Sequence, residues 1–263
     1  MKRVPDYGHQ AIVGALQAVG VRVGDVLFTH SSIATLGVSE GGLDAEAIAT
    51  MFLSAVREVA GPGATWLLPA FTYSYVKDEV FDPLTVAPSR EMGLLPSVLW
   101  RHPDALRTLD PIFSVIAIGA RARELTSGVP TSCFDERSVF ARLIELDGAV
   151  CNIGIGSFST LMHHVEQKRG VAYRRPKWFE GVSILDGRPR RTRISYYARD
   201  LDHPEHDSCW TRLDRDGRAD GSVAVAQLGR GELNLVRARR MEELIVAGLE
   251  RDGDYLVVGS GAS

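Results

Sequence analysis

His163 and Glu166 stand three residues apart in the run Leu161-Met162-His163-His164-Val165-Glu166. On a helix that spacing puts both side chains on one face. A carboxylate placed there can hold one imidazole nitrogen and leave the other free to take a proton. That is the layout of a general base with its orienting partner. A His-x-x-Glu pair is also an ordinary surface pair or a satisfied core histidine, so the rest of the chain has to decide. His164 points about 100° round the helix from His163 and reads as a neighbour with a packing or surface role.

The pair follows an apolar segment, Ala149 to Ile155, and a turn carrying Gly154, Gly156, Ser157, Ser159 and Thr160. Other segments also place polar groups where strands end. Val26-Leu27-Phe28-Thr29 runs into His30-Ser31-Ser32, and ligands of open α/β sheets sit at carboxyl ends of strands; a cap or turn is the plainer reading. Trp66 to Pro69 runs into Ala70-Phe71-Thr72-Tyr73, where Trp66 and Phe71 suit packing. Phe81-Asp82-Pro83 precedes Pro88-Ser89-Arg90, where Ser89 is placed to cap a helix starting near Met92 or Gly93. Arg90 near a helix start opposes the dipole and suits either an anionic ligand or a salt bridge. Arg107 to Val115 is a turn feeding a buried strand, with Asp110 held extended by Pro111.

The elements that must position these residues alternate. Val/Ile/Leu-rich runs predict buried strands at Asp25 to Thr29, Thr65 to Pro69, Phe113 to Ile118, Ala149 to Ile155 and Tyr255 to Val258. Amphipathic stretches predict helices at Gly8 to Ala18, Asp44 to Ala60, Gly93 to Trp100, Ala120 to Thr126, Ser138 to Leu146, Thr160 to Arg169 and Val236 to Arg251. The expected fold is α/β, a layered α/β/α arrangement with a mixed central sheet. Residues 182–235 differ: Asp186-Gly187 sits between alternating arms and predicts a hairpin, and two more strands flank Gly229-Arg230-Gly231. With no linker or repeat, residues 1–263 are expected to form a single domain with a β-rich C-terminal part.

Composition excludes several classes. The chain has 263 residues, 45% hydrophobic and 24% charged, with a net charge of −3. No global field draws it to nucleic acid. Charges such as Lys77 and Arg90 break the apolar stretches, and Met1-Lys2-Arg3-Val4-Pro5 lacks an apolar signal core, so a cytoplasmic location off the membrane is expected. Cys133, Cys151 and Cys209 are scattered and form no Cys-x-x-Cys pair. Asp202-His203-Pro204-Glu205-His206-Asp207 with Cys209 offers metal ligands and motivates a metal-hydrolase alternative, but Pro204 disfavours a two-histidine helix face. No metal is expected. A binding module without turnover is the non-enzymatic alternative.

Taken in order, five segments resemble the antibiotic N-acetyltransferase family, whose best-known members are the aminoglycoside 3-N-acetyltransferases. They are His30-Ser31-Ser32, Pro69 to Thr72, Pro88-Ser89-Arg90, Arg107 to Gly119, and Ser138 to Glu166, and the resemblance spans roughly residues 8 to 260. It implies an α/β fold with a mixed sheet and transfer of an acetyl group from acetyl-CoA to an amino group of a sugar. It also implies that His163 is the catalytic histidine, Glu166 its carboxylate partner, and His30, Ser31, Ser32, Thr72, Ser89 and Arg90 the coenzyme contacts. Asp110, Phe81 and Asp82 are the candidate substrate contacts. Asp110-Pro111 departs from the His-Pro of many aminoglycoside-modifying members. A further departure is the run of Arg174, Arg175, Lys177, Arg188, Arg190, Arg191 and Arg193 after the catalytic helix, which suits an anionic amino-sugar acceptor such as a sugar nucleotide, the CoA phosphates, or a solvated hairpin face. A homodimer is plausible on size.

Overall fold

In the computed structural model, which describes residues 4–259, the chain runs α1 (His9–Ala18), β1 (Val26–Phe28), α2 (Ala45–Ala60), β2 (Thr65–Pro69) and α3 (Leu94–Leu99). It continues through β3 (Leu106–Arg107), β4 (Val115–Gly119), α4 (Ala122–Thr126), α5 (Val139–Glu145), β5 (Ala149–Ile153) and α6 (Leu161–Arg169). The remainder is β6 (Arg174–Leu185), β7 (Arg188–Arg199), α7 (Thr211–Ala219), β8 (Ala224–Leu228), β9 (Gly231–Arg237) and α8 (Ala238–Arg251). Asp44 caps α2 by accepting from the Glu46 and Ala47 amides, and Ser138 caps α5 by accepting from the Ala141 amide, so both helices start where capping residues stand.

Seven strands form one mixed sheet in the order β3-β4-β2-β1-β5-β9-β8. β1 pairs in parallel with both β2 and β5, and the outer strands pair antiparallel. Alternation with a period of two sends successive strand residues to opposite faces. Leu27, Trp66, Leu68, Ile118 and Cys151 pack on one face with Ile12, Leu16, Phe52, Val56 and Leu95 of α1 to α3. Phe28, Leu67, Val115 and Val150 pack on the other with Phe140, Leu143, Val165, Met241 and Ile245 of α5, α6 and α8. The sheet is therefore the middle of three layers, each face sealed by helices.

β1 is the strand from which the parallel connections depart in both directions, to β2 on one side and β5 on the other. The carboxyl ends of β1, β2 and β5 open together at that switch, the position where α/β sheets hold ligands. β6 and β7 stand apart as a two-stranded hairpin closed by Asp186 (φ 51°) and Gly187 (φ 72°), both left-handed as a tight two-residue turn requires. The hairpin meets the body where Tyr75 Oη lies 2.6 Å from Ser183 Oγ and 2.5 Å from Thr192 Oγ1.

Three expectations need correction. Tyr255 to Val258 forms no strand: Val257 makes only an isolated bridge to Ser208, and the Cys209 amide donates to the Leu256 carbonyl, so these apolar residues plug the core at the end of α8. Thr211–Ala219 is a helix that the charged run Arg212 to Arg218 conceals from an apolar-pattern reading. Ser89 precedes a 3-10 turn, Arg90–Met92, without a side-chain cap bond; Gly93, at φ 87°, sets the start of α3 instead.

Candidate active site

The loop from Gly154 to Thr160 is tied down from three directions. Asn152, buried inside β5, donates through Nδ2 to the carbonyls of Gly156 (2.9 Å) and Phe158 (2.7 Å) and accepts from the His30 amide through Oδ1. Its register partner Asn234 in β9 donates to the Ile155 carbonyl at 2.6 Å and accepts from Ser157 Oγ at 3.1 Å. Asp214 of α7 accepts from the Ser157 amide at 2.8 Å. Gly154 turns the chain at φ 70°, where a Cβ would lie 2.3 Å from Thr35 Oγ1 and 2.4 Å from the Ser32 carbonyl, so only glycine passes. The loop delivers Thr160, and with it α6, to the open end of β1.

On α6 the expected pair forms. His163 Nδ1 lies 2.6 Å from Glu166 Oε2. The carboxylate has no exposed surface, while 14% of the histidine side chain remains open. Tyr173 Oη donates to Glu166 Oε1 at 2.9 Å, and Arg174 Nε stands 2.8 Å from Oε2 in an ion pair. Burial alone would raise the Glu166 pKa, but interactions with His163, then Arg174 and Tyr173, carry it below the ordinary carboxylate value. An ionised Glu166 accepts from Nδ1–H, which leaves the His163 Nε2 lone pair as the basic site. Burial, then Arg174, push the His163 pKa down, with Glu166 opposing in part, so the imidazole is neutral at physiological pH. His164 is buried, and its Nδ1 lies 2.8 Å from the Phe134 carbonyl, which fixes it in a packing role.

A cavity of about 700 Å³ opens at the carboxyl end of β1; Thr160, at the start of α6, lines it, whereas His163 and Glu166 are not part of its lining. His30, Ser31, Ser32, Phe71, Phe158 and Thr160 are among the residues lining it, with Glu91, Met92 and Gly93 at another wall. His30 packs edge-on to Phe28 (4.9 Å) and tilted against Phe158 (4.6 Å), and its Nε2 faces the Thr160 amide and hydroxyl at 3.4 and 3.3 Å. Burial, with a smaller push from His163, carries the His30 pKa down to about 3, so it is a neutral wall group and too weak a base for proton transfer. Ser31 Oγ is buried without a hydrogen-bond partner, a polar atom that a ligand amide or carbonyl can satisfy.

The other candidate residues sit differently. Thr72 Oγ1 donates to the Pro111 carbonyl and receives from Ser74, so it braces the turn after β2. Ser89 and Arg90 lie just outside the cavity lining, the Ser89 amide donating to the Phe71 carbonyl; Arg90 is exposed and makes no ion pair among the described residues. Phe81 is fully buried beneath the Arg107 guanidinium, and Asp82 accepts from the Leu84 amide and Thr85 hydroxyl. Asp110 lines a separate cavity of about 300 Å³, its Oδ1 accepting from the Ile112 and Phe113 amides. The basic run also divides. Arg174 is spent on Glu166, Arg175 pairs with Asp200, and Arg193 covers Trp178 at 4.1 Å. Lys177, Arg188, Arg190 and Arg191 remain exposed on the hairpin.

Asn152, Asn234 and Asp214 are the supports a motif reading misses; the signal for the first two is an amide inside an apolar strand, which needs a buried partner. Among the described residues no group of three or more His, Cys, Asp or Glu side chains is arranged to hold a metal ion; His203 bonds Glu205 at 2.9 Å instead. Burial raises the thiol pKa of Cys133 and carries that of Cys151 to about 12, which leaves both unreactive. No helix among the described residues is long and apolar enough to cross a membrane.

Residues 28–250 match the family described as aminoglycoside 3-N-acetyltransferase. The chain is 29% identical over 246 residues to aminoglycoside N(3)-acetyltransferase IV of a Salmonella species, covering 92% of this chain and 87% of the relative. It is 26% identical over 270 residues to aminoglycoside N(3)-acetyltransferase III of Pseudomonas aeruginosa, covering 95% and 97%. Its fold superposes on the crystal structure of the apoenzyme of aminoglycoside acetyltransferase AAC(3)-IVa with a TM-score of 0.79 at 27% identity, covering 100% of this chain and 95% of the other. The same enzyme has been crystallised, as a variant, in complex with a gentamicin, and that structure superposes with a TM-score of 0.77 at 26% identity, covering 96% and 92%.

Proposed function

The chain belongs to the aminoglycoside 3-N-acetyltransferase family, an acyltransferase family, and from that premise we propose that it moves an acetyl group from acetyl-CoA to an amino group of an amino sugar by direct transfer. The observation that carries the mechanism is the pair itself: His163 with Nδ1 held at 2.6 Å by a buried carboxylate and Nε2 left basic, on the helix whose N-cap Thr160 lines the cavity of about 700 Å³.

Acetyl-CoA supplies an activated carbonyl and a thiolate leaving group. His30, Ser31 and Ser32 at the end of β1 are the proposed contacts for its reactive end, Ser31 Oγ being the unsatisfied donor there. Arg90, exposed and unpaired among the described residues, suits its phosphates; Thr72 and Ser89 brace the wall behind. His163 Nε2 takes the proton that the attacking nitrogen loses as the N–C bond forms. The resulting imidazolium, balanced by Glu166, returns that proton to the sulfur as the C–S bond breaks. Such a base contributes about 10²–10⁴-fold. In this reading Asp110, Phe81 and Asp82 act through packing and turns and touch no wall of that cavity.

Thiol release from acetyl-CoA across a panel of aminoglycosides, amino sugars and amino-sugar nucleotides tests the assignment. Release with an amino-sugar acceptor, lost in His163→Ala while CoA still binds, supports it; full activity in His163→Ala sinks it. A second reading, in which the acceptor is anionic, rests on Lys177, Arg188, Arg190 and Arg191, which carry no ion pair among the described residues. Preference for a free aminoglycoside over sugar nucleotides in competition rules it out.

A further inference from the structure

Glu166 is shared. Its Oε2 receives His163 Nδ1 at 2.6 Å and faces Arg174 Nε at 2.8 Å, while Oε1 receives the Tyr173 hydroxyl at 2.9 Å. The Arg174 side chain is 1% exposed. Its Nη2 donates to Ser208 Oγ at 2.8 Å and its Nη1 to the Tyr197 carbonyl at 3.4 Å, so the fork is fixed by the hairpin and by the segment after it. One carboxylate therefore meets two cationic partners, of which the guanidinium is permanently charged. Carboxylate and guanidinium sum to zero; a proton on the imidazole would leave one buried positive charge beside another.

We propose that Arg174 is a positioning residue of the catalytic pair: it locks the Glu166 carboxylate in place and claims its charge, so that His163 rests as a free base rather than as an imidazolium trapped in a salt bridge. A lone buried His–Glu pair would favour the ion pair, with the base already protonated before an amine arrives. The inference rests on His163 acting as the base. It extends that reading by giving the hairpin, through the first residue of β6, a part in setting the working pH.

Among the described residues, Arg174 and Glu166 are the charges that act on His163. On α6 the other titratable neighbour is His164, tied to the Phe134 carbonyl. From the loop after β1 comes His30, neutral by burial. Tyr173, just before β6, and Tyr196 and Tyr197 of β7 are all shifted up and un-ionised. The loop before α5 supplies the Phe134 ring, 5.3 Å from the imidazole, and the protonated Cys133. His206 lies against Tyr173 at 6.2 Å between ring centres, and Asp254 acts on Tyr173 from the C-terminal side. Arg174 also lowers the His163 pKa directly, after burial, in keeping with the geometry.

The test compares wild type with Arg174→Met, Arg174→Lys and Glu166→Gln. Two readouts are taken: the pH profile of kcat/KM, and the imidazole titration of His163 by NMR in the protein without acceptor. Arg174→Met should move the His163 titration and the acid limb of the rate upward together. The rate should fall about tenfold at the acid end for each unit of that shift and recover at higher pH. Arg174→Lys, which keeps the charge, should restore much of the acid-side rate. Glu166→Gln should move the titration the opposite way, and it tests the charge argument even if Arg174→Met does not fold. A uniform loss of rate in Arg174→Met with the titration unmoved, or a downward shift, overturns the proposal. A titration that moves as stated while the rate limb stays put supports the charge role of Arg174 and instead removes His163 as the base.

Discussion

At the scale of single residues, burial decides which histidine can do chemistry. His30, His163 and His164 crowd one region, yet only His163 combines a free ring nitrogen with a carboxylate on the other. Its lowered pKa fixes the sign of the pH response. In the proposed mechanism the neutral form is the active one, so kcat/KM should rise with pH through an acid limb whose midpoint lies below about 6.5, the ordinary histidine value. A midpoint above that value would contradict the structure. His30 makes a separate prediction about stability. It titrates near 3 when folded and near 6.5 when unfolded, so the unfolded chain binds the extra proton. Stability from this group is whole above the unfolded value and falls by about 1.4 kcal/mol per pH unit as pH drops toward 3. Urea midpoints at pH 7 and pH 5 should therefore diverge less in His30→Gln than in wild type. The pair His163–Glu166 was legible because helix periodicity makes i and i+3 neighbours. Arg174 was not: in the sequence it is one of seven basic residues between positions 174 and 193, and only the tertiary fold separates it from the rest by burying it against Glu166.

At the scale of elements, the turn from β5 to α6 carries the most constraint. Replacing Asn152 with Leu strips partners from the His30 amide and from the Gly156 and Phe158 carbonyls. Each orphaned group costs about 1–3 kcal/mol, so Asn152→Leu should lower the urea midpoint clearly and raise KM for acetyl-CoA by loosening the loop under Thr160. Gly154→Ala should act more locally. Its Cβ collides with Thr35 and the Ser32 carbonyl at a φ of 70°, and binding of CoA measured calorimetrically should weaken more than stability falls. The strands at Thr65–Pro69 and Ala149–Ile153 and the hairpin turn at Asp186-Gly187 were readable because apolar runs and left-handed turn residues are local signals. Helix α7 was not, since a surface helix with only Leu213 and Gly217 buried shows almost no apolar stripe. Tyr255 to Val258 misled for the converse reason: four residues rich in apolar side chains pack equally well as a plug or as a strand.

At the scale of the whole molecule, two apolar cores press on one sheet from opposite sides. Neither can form without the strands they share, so residues 4–259 should unfold in one urea transition, with Phe52→Ala on one face and Phe140→Ala on the other each costing about 3–5 kcal/mol. Two separable transitions would show that the chain is not a single cooperative unit. The hairpin of β6 and β7 adds Ile194 to one of those cores yet stands outside the seven-stranded sheet. It forms its own two-stranded sheet, meeting the body through Tyr75, the Phe81 and Ser132 bridges and the buried foot at Arg174. Its outer surface faces solvent, while its foot pairs with the Glu166 carboxylate. Mutational drift can thus recolour the solvent-facing side of the arm without touching the Arg174–Glu166 contact, whereas a change at its foot reaches that contact directly.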